Sequence, residues 1–205
     1  MNLFEDHFLV PAKAAEAVYR DRGSKFLGFV YPVQTEAEVK SCLLLLRKQH
    51  PGANHHCYAF RLGADKLFFR NQDDGEPSGT AGRPILGQIQ SRDLTNVLVV
   101  VVRYFGGTLL GVSGLIAAYK GAAHEALEEA GQTEKCVQET YLIEFGHETM
   151  NEVMRIVKNE GLKQSSADFG LVCQFHLTMR KQEAERILTL LGQVKGLVSR
   201  YVSTE

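Results

Sequence analysis

The sequence predicts an α+β protein of two domains, and three observations carry that prediction. Six consecutive branched aliphatic residues, 97–102, lack the polar alternation of a half-exposed strand, so they read as a strand buried on both faces in the middle of a sheet. Helix-period segments stand on either side of that run, at 35–50 and 113–130. After Gly131 the rhythm changes, and the later elements take the order βαββαβ, the ferredoxin-like or split-βαβ arrangement, for which about seventy residues is a natural size. The boundary lies at residues 131–135, giving domains 1–133 and 134–205 without a long linker or low-complexity segment.

Residues 15–20 and 24–33 form the arms of a hairpin about Asp21-Arg22-Gly23. At Thr35 the period changes. Thr35 is a helix-capping residue, Glu36 and Glu38 suit the positive end of a helix dipole, and Val39, Cys42, Leu43 and Leu46 make one apolar face that ends at Pro51-Gly52. Residues 56–62 and 67–70 make a second hairpin about Gly63-Ala64-Asp65. A polar, glycine-rich loop runs from Asn71 to Gly82. Pro84 then opens a short helix reaching Gln90, because in the first helical turn its missing N–H leaves no bond unmade.

Strand 96–104 follows, and after Phe105-Gly106-Gly107 and Gly111 comes Ser113, expected to N-cap a long helix to Ala130 that stops at Gly131. Gly114, Ala117, Ala118, Gly121 and Ala122 give this helix a small-residue face for close packing on the sheet. In the second domain the expected elements are strand 136–145, helix 149–160, a hairpin of 162–168 and 171–179 about Phe169-Gly170, helix 182–191 and strand 196–202.

Composition sets limits on function. With 44% hydrophobic and 23% charged residues the chain has an ordinary globular balance. A net charge of -1 and a pI near 6.7 supply no general field for polyanions, so any nucleic-acid site is a local patch. Glu5 and Asp6 stand where a secretory signal carries basic residues, and the apolar run at 97–102 is far short of the roughly 20 residues that span a bilayer. A cytoplasmic protein without a membrane partner is expected. Cys42, Cys57, Cys136 and Cys173 show no CxxC spacing and read as reduced thiols, Cys57 in the core.

The richest signal is Asp73-Asp74-Gly75-Glu76-Pro77-Ser78-Gly79-Thr80-Ala81-Gly82, followed by Val101-Val102-Arg103-Tyr104-Phe105-Gly106-Gly107 and Leu110-Gly111-Val112-Ser113-Gly114-Leu115. With His55-His56-Cys57-Tyr58-Ala59 before them, these motifs resemble the signature of the IMPACT family in its bacterial two-domain form, across about half the chain. The resemblance implies that the N-terminal domain has the fold shared by a small-subunit ribosomal-protein domain, elongation factor G domain IV and the GHMP kinases. It also implies a C-terminal ferredoxin-like domain similar to another elongation factor G domain, and a regulatory role associated with translation. Eukaryotic relatives carry a different N-terminal domain and act through a starvation-sensing kinase, a mechanism not carried over to this sequence.

Read as chemistry, a buried strand that delivers Arg103 into a glycine turn before a helix N-terminus points N–H groups and a positive dipole end at an anion. The expected phosphate or nucleic-acid contacts are Arg103, Gly106, Gly107, Gly111, Ser113 and Gly114, next to a motif loop of Asp74, Gly75, Glu76, Pro77, Gly79, Thr80 and Gly82. A purely conformational role for the glycines stands beside this reading. No GxxxxGK[ST] loop or GxGxxG fingerprint occurs, and Asp168-Phe169-Gly170 reads as a hairpin turn rather than kinase machinery.

Three functions remain open at this level. In the first, the N-terminal domain binds RNA, the ribosome or a phosphate-bearing small molecule. A metal-dependent hydrolase, for instance a peptidase using His55, His56, Asp73, Asp74 and Glu76, is the second, and a protein-interaction module the third. No HExxH helix is present and no cofactor is called for, so the balance is against an enzyme. In the second domain one aromatic, Phe175, on strand 171–177 does not make an RNA-stacking platform and is assigned to the core.

Overall fold

The computed structural model describes residues 6–204. Its first compact unit is Phe8–Lys135; the other comprises residues 136–204 with residues 6 and 7. The first unit contains β1 (His7–Pro11), β2 (Ala15–Asp21), β3 (Ser24–Pro32), α1 (Glu36–Gln49), β4 (His55–Leu62), β5 (Phe68–Gln72), α2 (Gly82–Ser91), β6 (Val97–Tyr104), α3 (Gly111–Ala130) and β7 (Gln132–Cys136). The second contains β8 (Gln138–Phe145), α4 (Met150–Asn159), β9 (Lys163–Phe169), β10 (Cys173–Arg180), α5 (Lys181–Leu191) and β11 (Val198–Thr204). Both mix helices with antiparallel sheet, an α+β organisation.

In the first unit five antiparallel strands run in the order β2-β3-β6-β4-β5, with β6 at the centre. Its aliphatic run is buried on both sides because each side has its own cluster. Val97, Val99 and Val101 pack with Phe26, Cys57, Ala59, Ile85, Ile89 and Tyr119 under α2 and α3. Leu98, Val100 and Val102 pack with Leu27, Phe29, Val39 and Leu46 under α1. Each such side chain contributes about 1.5–3 kcal/mol relative to exposure. Thr35 caps α1 as its sequence position suggests, its hydroxyl accepting from the Glu38 N–H at 3.2 Å.

The long helix differs from expectation in two respects. It begins at Gly111, so Ser113 lies inside the first turn instead of capping it, and Leu110 at the cap makes no side-chain bond to the turn. Of the small residues, Ala118 and Ala122 are buried against the sheet, where a Cβ on Gly28 would stand 2.6 Å from the Ala122 carbonyl oxygen, but Ala117 faces out. Two strands escaped the sequence pattern. β1 pairs with β7, which precedes the strand expected over 136–145, and that expected strand is β8, beginning at Gln138. With β7 held by β1, the first compact unit ends at Lys135.

The second unit has the βαββαβ order and a four-stranded antiparallel sheet ordered β11-β8-β10-β9. Alternation along β10 places Cys173, Phe175, Leu177 and Met179 in a core closed by Val153, Val157, Ala184, Ile187 and Leu191 of the two helices. Phe175 is fully buried, in edge-to-face contact with Phe145 at 5.4 Å. Among the described residues no helix is long and apolar enough to cross a membrane.

Candidate functional site

The glycine-rich loop between β5 and α2 is organised by its two aspartates. One oxygen of Asp73 accepts from the N–H groups of Ala81 and Gly82 at 3.1 and 2.8 Å, and the other accepts from Gly79 at 2.8 Å. The Ala81 and Gly82 groups are donors that the start of α2 leaves unmet, and Gly79 is a donor of the loop before it. Burial pushes the Asp73 carboxyl up, but the three backbone donors together outweigh it, with help from Arg83, and hold it below the usual carboxylate range. Asp74 ties the same loop to β4 and α1. Its carboxylate accepts from the His56 N–H at 2.7 Å and lies 3.3 Å from Arg47 Nη2, while its carbonyl accepts from His55 Nδ1 at 2.8 Å.

Glu76 then reaches inward. Its side chain is 4% exposed, and Oε1 accepts from Arg103 Nη1 at 2.6 Å and from the Tyr119 hydroxyl at 2.7 Å. Strand register explains the meeting, since on β6 Arg103 stands between Phe26 of β3 and His55 of β4. The guanidinium lies over the Phe26 ring at 5.4 Å and the Phe105 ring at 5.6 Å. His55 Nε2 is 3.8 Å from the same Glu76 oxygen. Behind them the Cys57 thiol donates to the Asp73 carbonyl at 2.9 Å, and its sulfur lies 3.3 Å from the Tyr119 oxygen. Burial pushes both the Cys57 thiol and the Tyr119 hydroxyl far up, so each is a neutral hydrogen-bonding group and neither a nucleophile nor a base.

The two motifs meet at a cavity of about 450 Å³. Asn54, His55, Glu76, Pro77 and Arg103 form one part of its lining, and Phe105, Leu109, Leu110, Gly111, Val112 and Leu115 the rest. Its mouth therefore includes the first turn of α3, whose N–H groups have no intrahelical partners. The preceding turn is shaped by close contact. A Cβ on Gly106 would lie 1.9 Å from the Gly23 carbonyl carbon, and the Gly106 N–H donates to Ser24 Oγ at 3.1 Å. Gly107, by contrast, faces open space with φ at +86°.

Several expectations change at this level. Arg103 is not a free cation awaiting phosphate, because its charge is paired with Glu76 and it is 5% exposed. Gly106 has its N–H engaged and its place dictated by packing. Gly107, Gly111 and Ser113 are exposed, of which Gly111 lines the cavity, and Gly114 is buried beside Leu110. In the motif loop Gly75 lies against His55, Pro77 forms cavity wall and accepts from Thr80, and Gly79 and Gly82 donate to Asp73.

The proposed metal set of His55, His56, Asp73, Asp74 and Glu76 does not converge. His55 and His56, as neighbours on a strand, point to opposite faces, and the carboxylates are engaged by backbone N–H groups, Arg47, Arg103 and Tyr119. Among the described residues no group of three or more His, Cys, Asp or Glu side chains is arranged to hold a metal ion. Tyr119 and Phe105 were not singled out from sequence as site residues. The one available signal was that a tyrosine on the buried face of a helix must find a partner for its hydroxyl.

Fold and site together define an α+β protein whose first unit joins two glycine-rich motifs through a buried arginine–glutamate pair beside an apolar cavity. The chain belongs to the IMPACT family: the model of the Impact N-terminal domain matches residues 22–127, just over half of it. It is similar to the IMPACT family member YigZ of Escherichia coli (strain K12), at 37% identity over 126 residues covering 60% of this chain and 62% of that protein. It is also similar to YvyE of Bacillus subtilis (strain 168), at 41% over 112 residues covering 55% and 52%. The match thus spans less than two thirds of either relative's length. A solved structure described as that of a hypothetical protein superposes with a TM-score of 0.77 and 26% identity, over 98% of this chain and 99% of its own.

Proposed function

We propose that this chain is a translation-associated regulator whose first unit binds a phosphate-bearing ligand, as RNA or on the ribosome, at the cavity beside α3. Convergence of the two family motifs on that cavity, at the uncapped end of a twenty-residue helix, is the observation that carries it. The helix end supplies N–H donors and positive potential, so the anion contact shifts outward from Arg103 to Gly107, Gly111 and Ser113. In this reading the first unit has the fold shared by a ribosomal-protein domain, elongation factor G domain IV and the GHMP kinases. The second, with strand order β11-β8-β10-β9, is ferredoxin-like. The protein acts in the cytoplasm, without a membrane partner.

The test is binding of single-stranded RNA, together with co-sedimentation with ribosomes, across a salt series. Association through phosphate weakens as salt rises, and Gly107→Asp, which sets a carboxylate beside the helix end, weakens it at every salt concentration. Gly107→Asn, which tolerates positive φ without adding charge, is the control and retains binding. Wild-type affinity in a folded Gly107→Asp variant would overturn the proposal. Arg103→Ala is a poor probe here, because it leaves Glu76 buried and unpaired.

A further inference from the structure

We infer that the cavity is a single-nucleotide pocket in which a base bearing an exocyclic amino group lies against Phe105 while its phosphate meets the first turn of α3. This rests on the phosphate reading above and extends it from the anion to the base. A volume of about 450 Å³ lies within the roughly 300–1,000 Å³ of small-molecule sites. What distinguishes the cavity from a generic apolar cleft is how its apolar and polar groups are divided.

The apolar part is an aromatic platform with aliphatic neighbours. Phe105 is backed by the Arg103 guanidinium at 5.6 Å yet remains 45% exposed, and Leu109 and Val112 beside it are 82% and 60% exposed. A flat heteroaromatic ring covers such a surface, and bases stack on aromatic side chains in sequence-tolerant fashion. Next to it, Arg103 keeps its Nε without a hydrogen-bond partner among the described residues although the side chain is almost wholly buried. That nitrogen is itself buried and the charge is paired with Glu76, so the group on the same cavity that favours an anionic ligand is the uncapped first turn of α3.

The polar part selects the kind of base. The Asp74 carbonyl can only accept, so His55 Nδ1 carries the proton and, in the neutral ring, Nε2 is left as an acceptor. Glu76 lies beside that nitrogen, at 3.8 Å; its Oε1 is taken by Arg103 and Tyr119, so its second oxygen is the acceptor that remains. Asn54 Oδ1 already accepts from the Phe105 N–H at 2.8 Å. Two adjacent acceptors call for an N–H donor with hydrogens to share, which the amino groups of adenine, cytosine and guanine supply; uracil, with one ring N–H between two carbonyl oxygens, fits worse.

The experiment is calorimetric titration of the full chain with AMP, UMP and ribose 5-phosphate, repeated for Phe105→Leu and Gly107→Asp. AMP is expected to bind more tightly than UMP, and UMP more tightly than ribose 5-phosphate. Phe105→Leu should reduce AMP affinity about 5- to 150-fold, the loss of one stacking contact, while leaving ribose 5-phosphate unchanged. Should Phe105→Leu fail to fold, Leu109→Ser tests the same wall from an exposed position. If AMP and ribose 5-phosphate bind equally and both respond to Gly107→Asp, the base pocket is overturned and the phosphate reading stands. If AMP and UMP bind equally, the choice of an amino-bearing base is overturned. If none of the three binds, both readings fall.

Discussion

Arg103 Nη1 on the central strand and Glu76 Oε1 on the glycine-rich loop meet at 2.6 Å, with both side chains almost wholly withdrawn from water. This pair joins two motifs that are 27 residues apart and sets the floor on which the cavity is built. A buried ion pair adds little net stability compared with apolar residues of the same shape, but removing one partner strands the other charge.

Glu76→Ala and Arg103→Ala should therefore each destabilise the first unit by about 3–5 kcal/mol. The double variant Glu76→Leu/Arg103→Met should recover much of that loss while abolishing ligand binding. Urea unfolding of these three variants and of Glu76→Ala/Arg103→Ala measures it, and independent, additive losses in the last would show that the two side chains are not coupled.

Acid should weaken the fold through two separate groups. Asp73 is held below its ordinary range in the folded state, so its contribution is fully present above the unfolded value of about 3.9 and is lost as pH falls through the lower folded value. His56 is lowered chiefly by burial, partly offset by Asp74 and reinforced by Arg47 and His50. Its contribution is present above about pH 6.5 and declines as pH falls from there, because the unfolded chain takes up the proton first. Stability measured from pH 8 to pH 3 should thus show two declines. His56→Gln should flatten the upper and Asp73→Asn the lower, and an unchanged lower slope in Asp73→Asn would remove Asp73 as its source.

The neighbouring glycines Gly106 and Gly107 should respond differently to alanine. At Gly106 the new Cβ meets backbone of Gly23 and Ser24 at 1.9–2.2 Å, so the two turns must separate, at a cost of about 3 kcal/mol or more. At Gly107 the space is open and only the positive φ is strained, which costs about 1–2 kcal/mol. Thermal melts of the two variants settle the order, and a larger loss at Gly107 would contradict the packing described here.

Thiol chemistry should follow burial. Cys57 and Cys173 are buried and Cys42 and Cys136 partly accessible, and burial raises both the Cys57 and Cys42 thiols. Native protein at pH 8 should leave Cys57 and Cys173 unmodified by a thiol-specific reagent, with Cys136 the first to react. Mass mapping after brief labelling gives the answer, and early labelling of Cys57 would mean that the Asp73–Cys57–Tyr119 network opens readily.

The local elements and the two-part α+β plan were legible in the sequence because they depend on short-range regularities. Thr35 before an acidic turn, Pro84 at the start of α2, the hairpin turn at Arg22-Gly23 and the unbroken aliphatic run at β6 each act through their immediate neighbours or a short period. Where a signal was weak or shared, tertiary contact decided. β1 and β7 exist because they pair with each other, and α3 starts two residues before Ser113. The motifs were visible as motifs, but the partners of their residues were not. Nothing in a linear chain tells Arg103 that a carboxylate 27 positions earlier will lie 2.6 Å away, that Tyr119 will share it, or that Gly106 must leave room for Gly23. Those contacts arise only when β3, β4 and β6 align in register and α3 packs across them, because charge pairing and steric exclusion act through space and not along the sequence.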